Sequence, residues 1–232
     1  MGRFSRSLEP EWLDTLGPGD PRAVRSRADL RRVNALMGNA RLLARGLAAH
    51  LRPYGALRIA DLGSGDGAVM LAVARRLKRP GVELLLVDRA PVVRDEGLHA
   101  FEDHGWTARA HEADALEFLE APARFGAIVV NLFLHHLDPG RLAALLRLAA
   151  ARTDLFVACE PARTGIALAG SRLLGLIGCN DVTRHDAVAS VRAGFRGREL
   201  SSAWPRESGW HLDERPAGPF SHLFVARRRA HA

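Results

Sequence analysis

Seven residues, Asp61-Leu62-Gly63-Ser64-Gly65-Asp66-Gly67, set three glycines and two carboxylates directly after an apolar run. Glycine lets a backbone turn sharply and approach a ligand closely. Carboxylates beside such a turn attract cations and repel phosphates. Further along stand Asp88 closing VELLLVD, Asp114 in HEADAL, Asn131 closing AIVVN, the pair His135-His136, and Glu160 closing LFVACE. Imidazole is the side chain that moves a proton near neutral pH, and a neighbouring carboxylate can orient it. Glu160 is a candidate for that second part. A later triplet, Arg184-His185-Asp186, brings another histidine beside an acid.

These residues need elements to position them. Apolar residues recur at helical spacing from Ala23 to Leu51, and Pro53 is expected to stop that helix. A βα alternation follows. Strands are expected at 57–61, 82–88, 107–113, 126–131 and 155–160, with helices at 68–78, 91–104, 115–119 and 139–151 between them. Runs such as LLLV and IVV fit strands buried on both faces of a parallel sheet. Residues 161–208 read as helical. Two β-like runs, 209–215 and 221–229, flank PAGP and fit a hairpin at the sheet edge. The expected fold is α/β: a seven-stranded Rossmann-like sheet, mostly parallel, with an antiparallel C-terminal strand. The expected organisation is an N-terminal helical cap over 1–52 and one domain over 53–232, carrying a helical insert at about 161–208.

Composition narrows the class. The 232 residues are 47% hydrophobic and 25% charged, a globular balance. The net charge of +7 could signal a nucleic-acid partner. However, only Lys78 among the 33 basic residues is a lysine, which fits an arginine-rich coding bias of a high-GC bacterium, and the arginines are spread along the chain. Cys159 and Cys179 form no CxxC, and no metal pattern appears. Without an apolar leader or a membrane-length run, the expectation is a cytoplasmic protein.

The glycine loop fits two cofactor classes. Gly63, Gly65 and Ala68 satisfy G-x-G-x-x-G/A, and Asp88 lies where a ribose-binding acid would stand. A dinucleotide would bring its pyrophosphate to this loop, where Asp61 and Asp66 repel it. S-adenosylmethionine carries an ammonium and a sulfonium and no phosphate, so Asp61 suits it. Turn and cap hydrogen bonds remain an alternative use of both acids.

With these residues in view, the chain resembles the class I S-adenosylmethionine-dependent methyltransferases, whose first motif D-L-G-S-G-D-G matches closely. The resemblance covers residues 57–160. It implies that Asp88 grips the ribose hydroxyls, that Asp114 and Ala115 lie at the adenine, and that Asn131 faces the methionine end. It also implies that Ser64, Gly67 and Arg89 line the same cleft, and that S-adenosylhomocysteine is the product. The segments 26–39 and 180–200 are similar to a subgroup encoded beside type III polyketide synthases, enzymes of secondary metabolism that methylate phenolic or quinone-like lipids.

That resemblance puts His135 and His136 beside the methyl donor. His135 is the favoured base for deprotonating a phenol, with His136 second and His185 a further candidate base or substrate anchor. Asp186 capping a helix beside a surface His185 is the plainer use of that triplet. An apolar lid from residues 165–178 with the Ala23–Leu51 helix would suit a small greasy aromatic acceptor. Rival readings are an RNA or other nucleic-acid methyltransferase, a non-catalytic protein keeping the cofactor fold, and a dinucleotide oxidoreductase. Against the first, NLFL lacks (D/N)PP(Y/F), no Pro-Cys pair appears, and aromatics are only 6%.

Overall fold

The computed structural model describes residues 4–17, 19–51, 57–90, 92–206 and 209–229. The expected stop at Pro53, the cap boundary at 52/53 and the start of the helix expected at Pro91 lie outside the described residues.

Seven strands form one sheet in the order β3-β2-β1-β4-β5-β7-β6. They are β1 Leu57–Leu62, β2 Val82–Asp88, β3 Trp106–Glu112, β4 Ala127–Asn131, β5 Leu155–Pro161, β6 Trp210–Pro216 and β7 Ser221–Arg228. β1 to β5 are mutually parallel, and β7 runs antiparallel to both β5 and β6. The expected α/β sheet is therefore present, and the hairpin turns back so that β7, not β6, pairs with β5.

Strand periodicity explains both the core and the placement of the acids. Side chains alternate between the two faces. On one face Ala60, Leu62, Ile128, Val130, Phe156 and Ala158 join a buried cluster with Leu145, Trp204 and Phe224. On the other, Ile59, Leu84, Leu86, Val129 and Val157 pack with Leu43, Leu47, Met70 and Val73. Each fully buried aliphatic side chain contributes roughly 1.5–3 kcal/mol. By the same alternation Asp61 and Asn131 fall on the second face and Glu160 on the first. The order reverses between β1 and β4, the switch point where α/β sheets bind ligands beyond their strand ends.

The helices are α1 Pro21–Met37, α2 Asn39–Ala48, α3 Ala68–Leu77, α4 Asp95–His99, α5 Ala115–Glu120, α6 Pro139–Arg152, α7 Gly165–Arg172, α8 Asp181–Ala193 and α9 Glu199–Ala203. Two corrections concern them. The single helix expected over 23–51 is two, because Gly38 adopts φ 72° and breaks it. The helix expected over 91–104 shortens to α4 and a 3-10 turn at Glu102–His104. No helix among the described residues is long and apolar enough to cross a membrane.

Candidate active site

The glycine loop is shaped by its strands. The Gly63 and Ser64 amides both bond the Val87 carbonyl, at 2.9 and 3.1 Å. Gly63 has φ +72°, and a side chain there would meet the Phe133 ring at 2.6 Å, so only glycine fits. Asp88 accepts from Gly65 N–H at 2.9 Å and from Ala90 N–H at 3.0 Å, fixing the loop against the end of β2. Asp66 uses one oxygen on Ala68 N–H and the other on Arg31. Asp61 is 4% exposed. Burial, and secondly the charge of Asp88, push its carboxyl well above the usual carboxylate range. A ligand cation beside it would reverse that push, and a phosphate would deepen it.

Two adjoining cavities open beyond these strands. One, of about 360 Å³, is lined by Gly63, Asp88, Arg89, Asp114, Ala115, Leu132, His136 and Arg141, among others. Its Asp114 caps α5 by accepting from Leu116 N–H at 2.8 Å and pairs with Arg141 at 2.7 Å. Asp114 thus caps a helix and still faces the cavity. The second, of about 640 Å³, shares Gly63, Asp88, Arg89, Leu132 and His136 and adds Ser64, Gly65, Asn34, Asn131, His135 and Glu11. Three buried polar atoms without a protein partner, Ser64 Oγ, Asn131 Oδ1 and His135 Nε2, belong to residues lining it. Gly67 and Asp61 line neither cavity; Gly67, at φ 71°, shapes the entry to α3 instead.

The wall carrying the histidines is built by Glu160. This fully buried carboxylate accepts from the backbone N–H of Phe133, Leu134 and His135 at 3.0, 2.9 and 3.3 Å. It also holds His135 Nδ1 at 2.8 Å. Leu132 enters the loop at φ 52°, a left-handed conformation costly for a leucine, and lines both cavities. His135 Nε2 stands 3.5 Å from Glu11 Oε1. Burial works to lower the His135 pKa, but the two carboxylates outweigh it and raise it to about 9. His136 faces both cavities, and burial and the adjacent His135 charge lower its pKa.

Glu11 and Asp14 come from a segment whose role is not visible in the sequence. Residues 4–16 form a strap across the mouth of the site. Arg6 bonds the carbonyls of His135 and Leu137 at 3.1 and 2.9 Å. Asp186 accepts from Trp12 and Leu13 N–H at 2.8 and 3.0 Å, and Trp12 stacks on His185 with ring centroids 4.0 Å apart. The triplet 184–186 therefore lies inside α8, capped instead by Asn180; His185 and Asp186 serve the strap, while Arg184 lies beside Gly175. His185 lines neither cavity. Of the lid expected from residues 165–178 and the Ala23–Leu51 helix, only the helix part is at the site: α1 lines the larger cavity with Glu11, Leu13, Asp14 and Leu16, and none of residues 165–178 lines either cavity. Asn34, on α1, accepts from Asn131 Nδ2 at 3.0 Å and from Asn39 at 2.9 Å. Its only signal in the sequence is an amide inside an arginine- and leucine-rich helix.

The strand order, the glycine loop at the switch point and the acid ending β2 define the fold of α/β methyltransferases. Residues 59–153 match the family model described as a methyltransferase domain. No curated protein matches the sequence. Among solved structures, an O-methyltransferase family protein from Burkholderia thailandensis is 19% identical with a TM-score of 0.63; the match covers 92% of this chain and 62% of that one. The plantazolicin methyltransferase BpumL in complex with S-adenosylhomocysteine is 12% identical with a TM-score of 0.65, over 91% and 92% of the two chains. The pyocyanin biosynthetic protein PhzM is 18% identical with a TM-score of 0.57, over 94% of this chain and 60% of its own. The chain thus spans about three-fifths of the Burkholderia protein and of PhzM and nearly all of BpumL.

Proposed function

We propose that this protein transfers a methyl group from S-adenosylmethionine to an oxygen of a small, aromatic or phenol-like acceptor, leaving S-adenosylhomocysteine. The observation that carries the reading is a pair of adjoining cavities with shared walls. The larger is lined both by the loop-bracing acid Asp88 and by the carboxylate-held His135. When bound, the cofactor supplies an electrophilic methyl on a cationic sulfur. Asp88 takes the ribose hydroxyls, with Arg89, Asp114 and Ala115 around the base. Ser64 and Asn131 serve the cationic amino-acid end, where Ser64 Oγ and Asn131 Oδ1 are unpaired, and Asp61 acts on it through its charge from behind the cavity wall.

On the acceptor side the geometry divides the labour differently from the sequence expectation. His135 lies between two carboxylates and keeps its proton to about pH 9. It is suited to holding a developing oxyanion rather than to taking a proton. His136, with its lowered pKa and access to both cavities, takes the base role. Glu160 positions both by building their loop, and His185 acts on the strap. Similarity to natural-product methyltransferases supports a small acceptor over RNA, as does a cleft partly covered by residues 11–16. Cytoplasmic location and a bacterial secondary-metabolic setting, including the polyketide-linked subgroup, belong to the same proposal, as does the division into a cap over 1–52 and a catalytic domain.

The test is equilibrium binding of S-adenosylmethionine and NAD to the purified chain, followed by a mass-spectrometric screen of resorcinols, quinones and phenols. Binding of the methyl donor alone with +14 Da products supports the reading. Binding of NAD, or tight salt-dependent RNA binding, overturns it.

A further inference from the structure

The strap delivers Glu11 to one place: the free nitrogen of His135. That nitrogen is 2% exposed through its side chain, lines the larger cavity and makes no hydrogen bond. Its 3.5 Å separation from Glu11 exceeds a good N–H···O bond. The ring cannot turn to improve it, because Glu160 grips Nδ1 at 2.8 Å and the same carboxylate is pinned by three backbone N–H groups. Glu11 has its own support in Ser190 Oγ, so it stays near His135 without closing on it. A buried donor left this way costs about 1–3 kcal/mol. The site tolerates an anion at this point, in ion-pair range, without fully satisfying the donor.

We propose that Glu11 occupies the place of the acceptor's reacting oxygen, and that the acceptor is an oxygen acid (an acidic phenol or enol) that displaces Glu11 and binds to His135 Nε2–H as its anion. This rests on the methyl-transfer reading and deepens it. Both ring nitrogens face carboxylates, so both carry protons in the empty site, and an incoming oxyanion exchanges one negative partner for another. The proton of a neutral acceptor passes to His136 or to water, so the charge on His135 does not change. The strap is anchored independently, through Arg6 on the 134–137 carbonyls and Trp12 and Leu13 on Asp186. Glu11 can therefore swing aside while the segment stays in place.

The same three residues, Glu11, His135 and His136, put ligand atoms within 4.8 Å of one another, a set that could also hold a divalent ion. The experiment separates the two occupants. 4-Nitrophenol is titrated into the protein with S-adenosylhomocysteine present, below the free phenol's pKa, and the phenolate absorbance is read. Wild type should bind the coloured anion and lower the probe's apparent pKa by about one unit. Glu11→Ala and Glu11→Gln should bind it about tenfold tighter, since the competing carboxylate is gone. His135→Gln, checked for folding by thermal melt, should bind it at least about tenfold more weakly. If Glu11→Ala weakens binding as much as His135→Gln, Glu11 is part of the acceptor's grip and the proposal falls. It falls too if purified protein carries one equivalent of zinc, iron or manganese that Glu11→Ala loses. Calorimetry with S-adenosylhomocysteine alone reports on the methyl-donor reading separately, because the phenolate titration repeated without cofactor still reads the His135 position.

Discussion

Among the described residues, two buried histidine–glutamate pairs look alike but stand in different surroundings. In one, Glu160 holds His135 at 2.8 Å while accepting backbone N–H bonds from the loop that carries it. In the other, Glu214 on β6 holds His222 on β7 at 2.8 Å while accepting from Leu200 and Ser201 N–H at the start of α9. Both histidines are almost fully buried, at 2% and 1%. The difference lies around the second nitrogen and the cavity. His135 Nε2 is unpaired, faces open volume and has a second carboxylate nearby, whereas His222 lines neither site cavity. A carboxylate-bound imidazole is a structural staple of helix starts and loops alike. It becomes chemistry only where the fold leaves one of its nitrogens facing a ligand.

The sharpest way to break that contrast is to remove each ring. His135→Ala should lower turnover by about two to three orders of magnitude, the range for deleting a donor to a developing oxyanion. S-adenosylhomocysteine affinity should stay within about threefold by calorimetry. His222→Ala should do the reverse. It leaves Glu214 short of one hydrogen-bond partner, costing about 1–3 kcal/mol of stability by denaturant unfolding, with turnover per folded molecule within about threefold. Equal loss of turnover in the two variants would erase the distinction.

Acid and alkali should separate the pairs as well. The His135 pKa is raised to about 9 from an unfolded value near 6.5. Its contribution is complete below pH 6.5 and is lost as pH rises through 9, an effect on the order of 3 kcal/mol. Glu214 moves the other way: burial pushes its pKa up, but His222 and the Ser201 and Leu200 groups outweigh that and lower it. Its stabilisation is present above the ordinary glutamate value near 4.5 and fades as pH falls below it. Melting temperatures between pH 3 and 10 should fall at both ends. His135→Gln should flatten the alkaline limb alone, and Glu214→Gln the acid limb alone.

The half of the site proposed to hold the methyl donor offers a more moderate prediction. Asp88→Ala removes the acid expected at the ribose and frees the Gly65 and Ala90 amides. Charged hydrogen bonds of about 1.5–3 kcal/mol make that roughly a 10- to 100-fold loss of S-adenosylhomocysteine affinity. This half was legible in the sequence because it is local: each residue sits at the end of its own strand, and strand ends follow from apolar runs and glycines. The acceptor half was only partly so. His135 and Glu160 were found because both also follow strands. Glu11, Asp14 and Asn34 were not, because their partners at the site lie 97 to 179 positions away and no periodicity encodes such contacts. The 165–178 part of the expected lid was misplaced for a related reason. Residues 165–178 are apolar enough to cover a greasy ligand, yet Leu173 and Leu176 point outward at 56% and 82% exposure. The polar stretch before α1 lies over the site instead, because Asp186 and Arg6 tie its backbone down.

That tie gives the smallest and most discriminating effect. Asp186 accepts two strap amides, at Trp12 and Leu13, and also holds His185 Nδ1 at 2.9 Å. Asparagine has the same shape but a single acceptor oxygen, so Asp186→Asn keeps at most part of this set. The strap should loosen without leaving, since Arg6 still bonds the 134–137 carbonyls. Amide exchange at residues 11–16 should quicken, and the acceptor KM should rise by up to about tenfold, one lost charged bond. kcat should change by less than about threefold, because His135, His136 and Glu160 stay in place. His185→Phe, which preserves the stack on Trp12 and discards the titrating ring, should be close to wild type in turnover. If it instead abolishes turnover while Asp186→Asn does not, His185 reaches the acceptor directly, and the strap's anchor would join the chemistry proposed for His135 and His136.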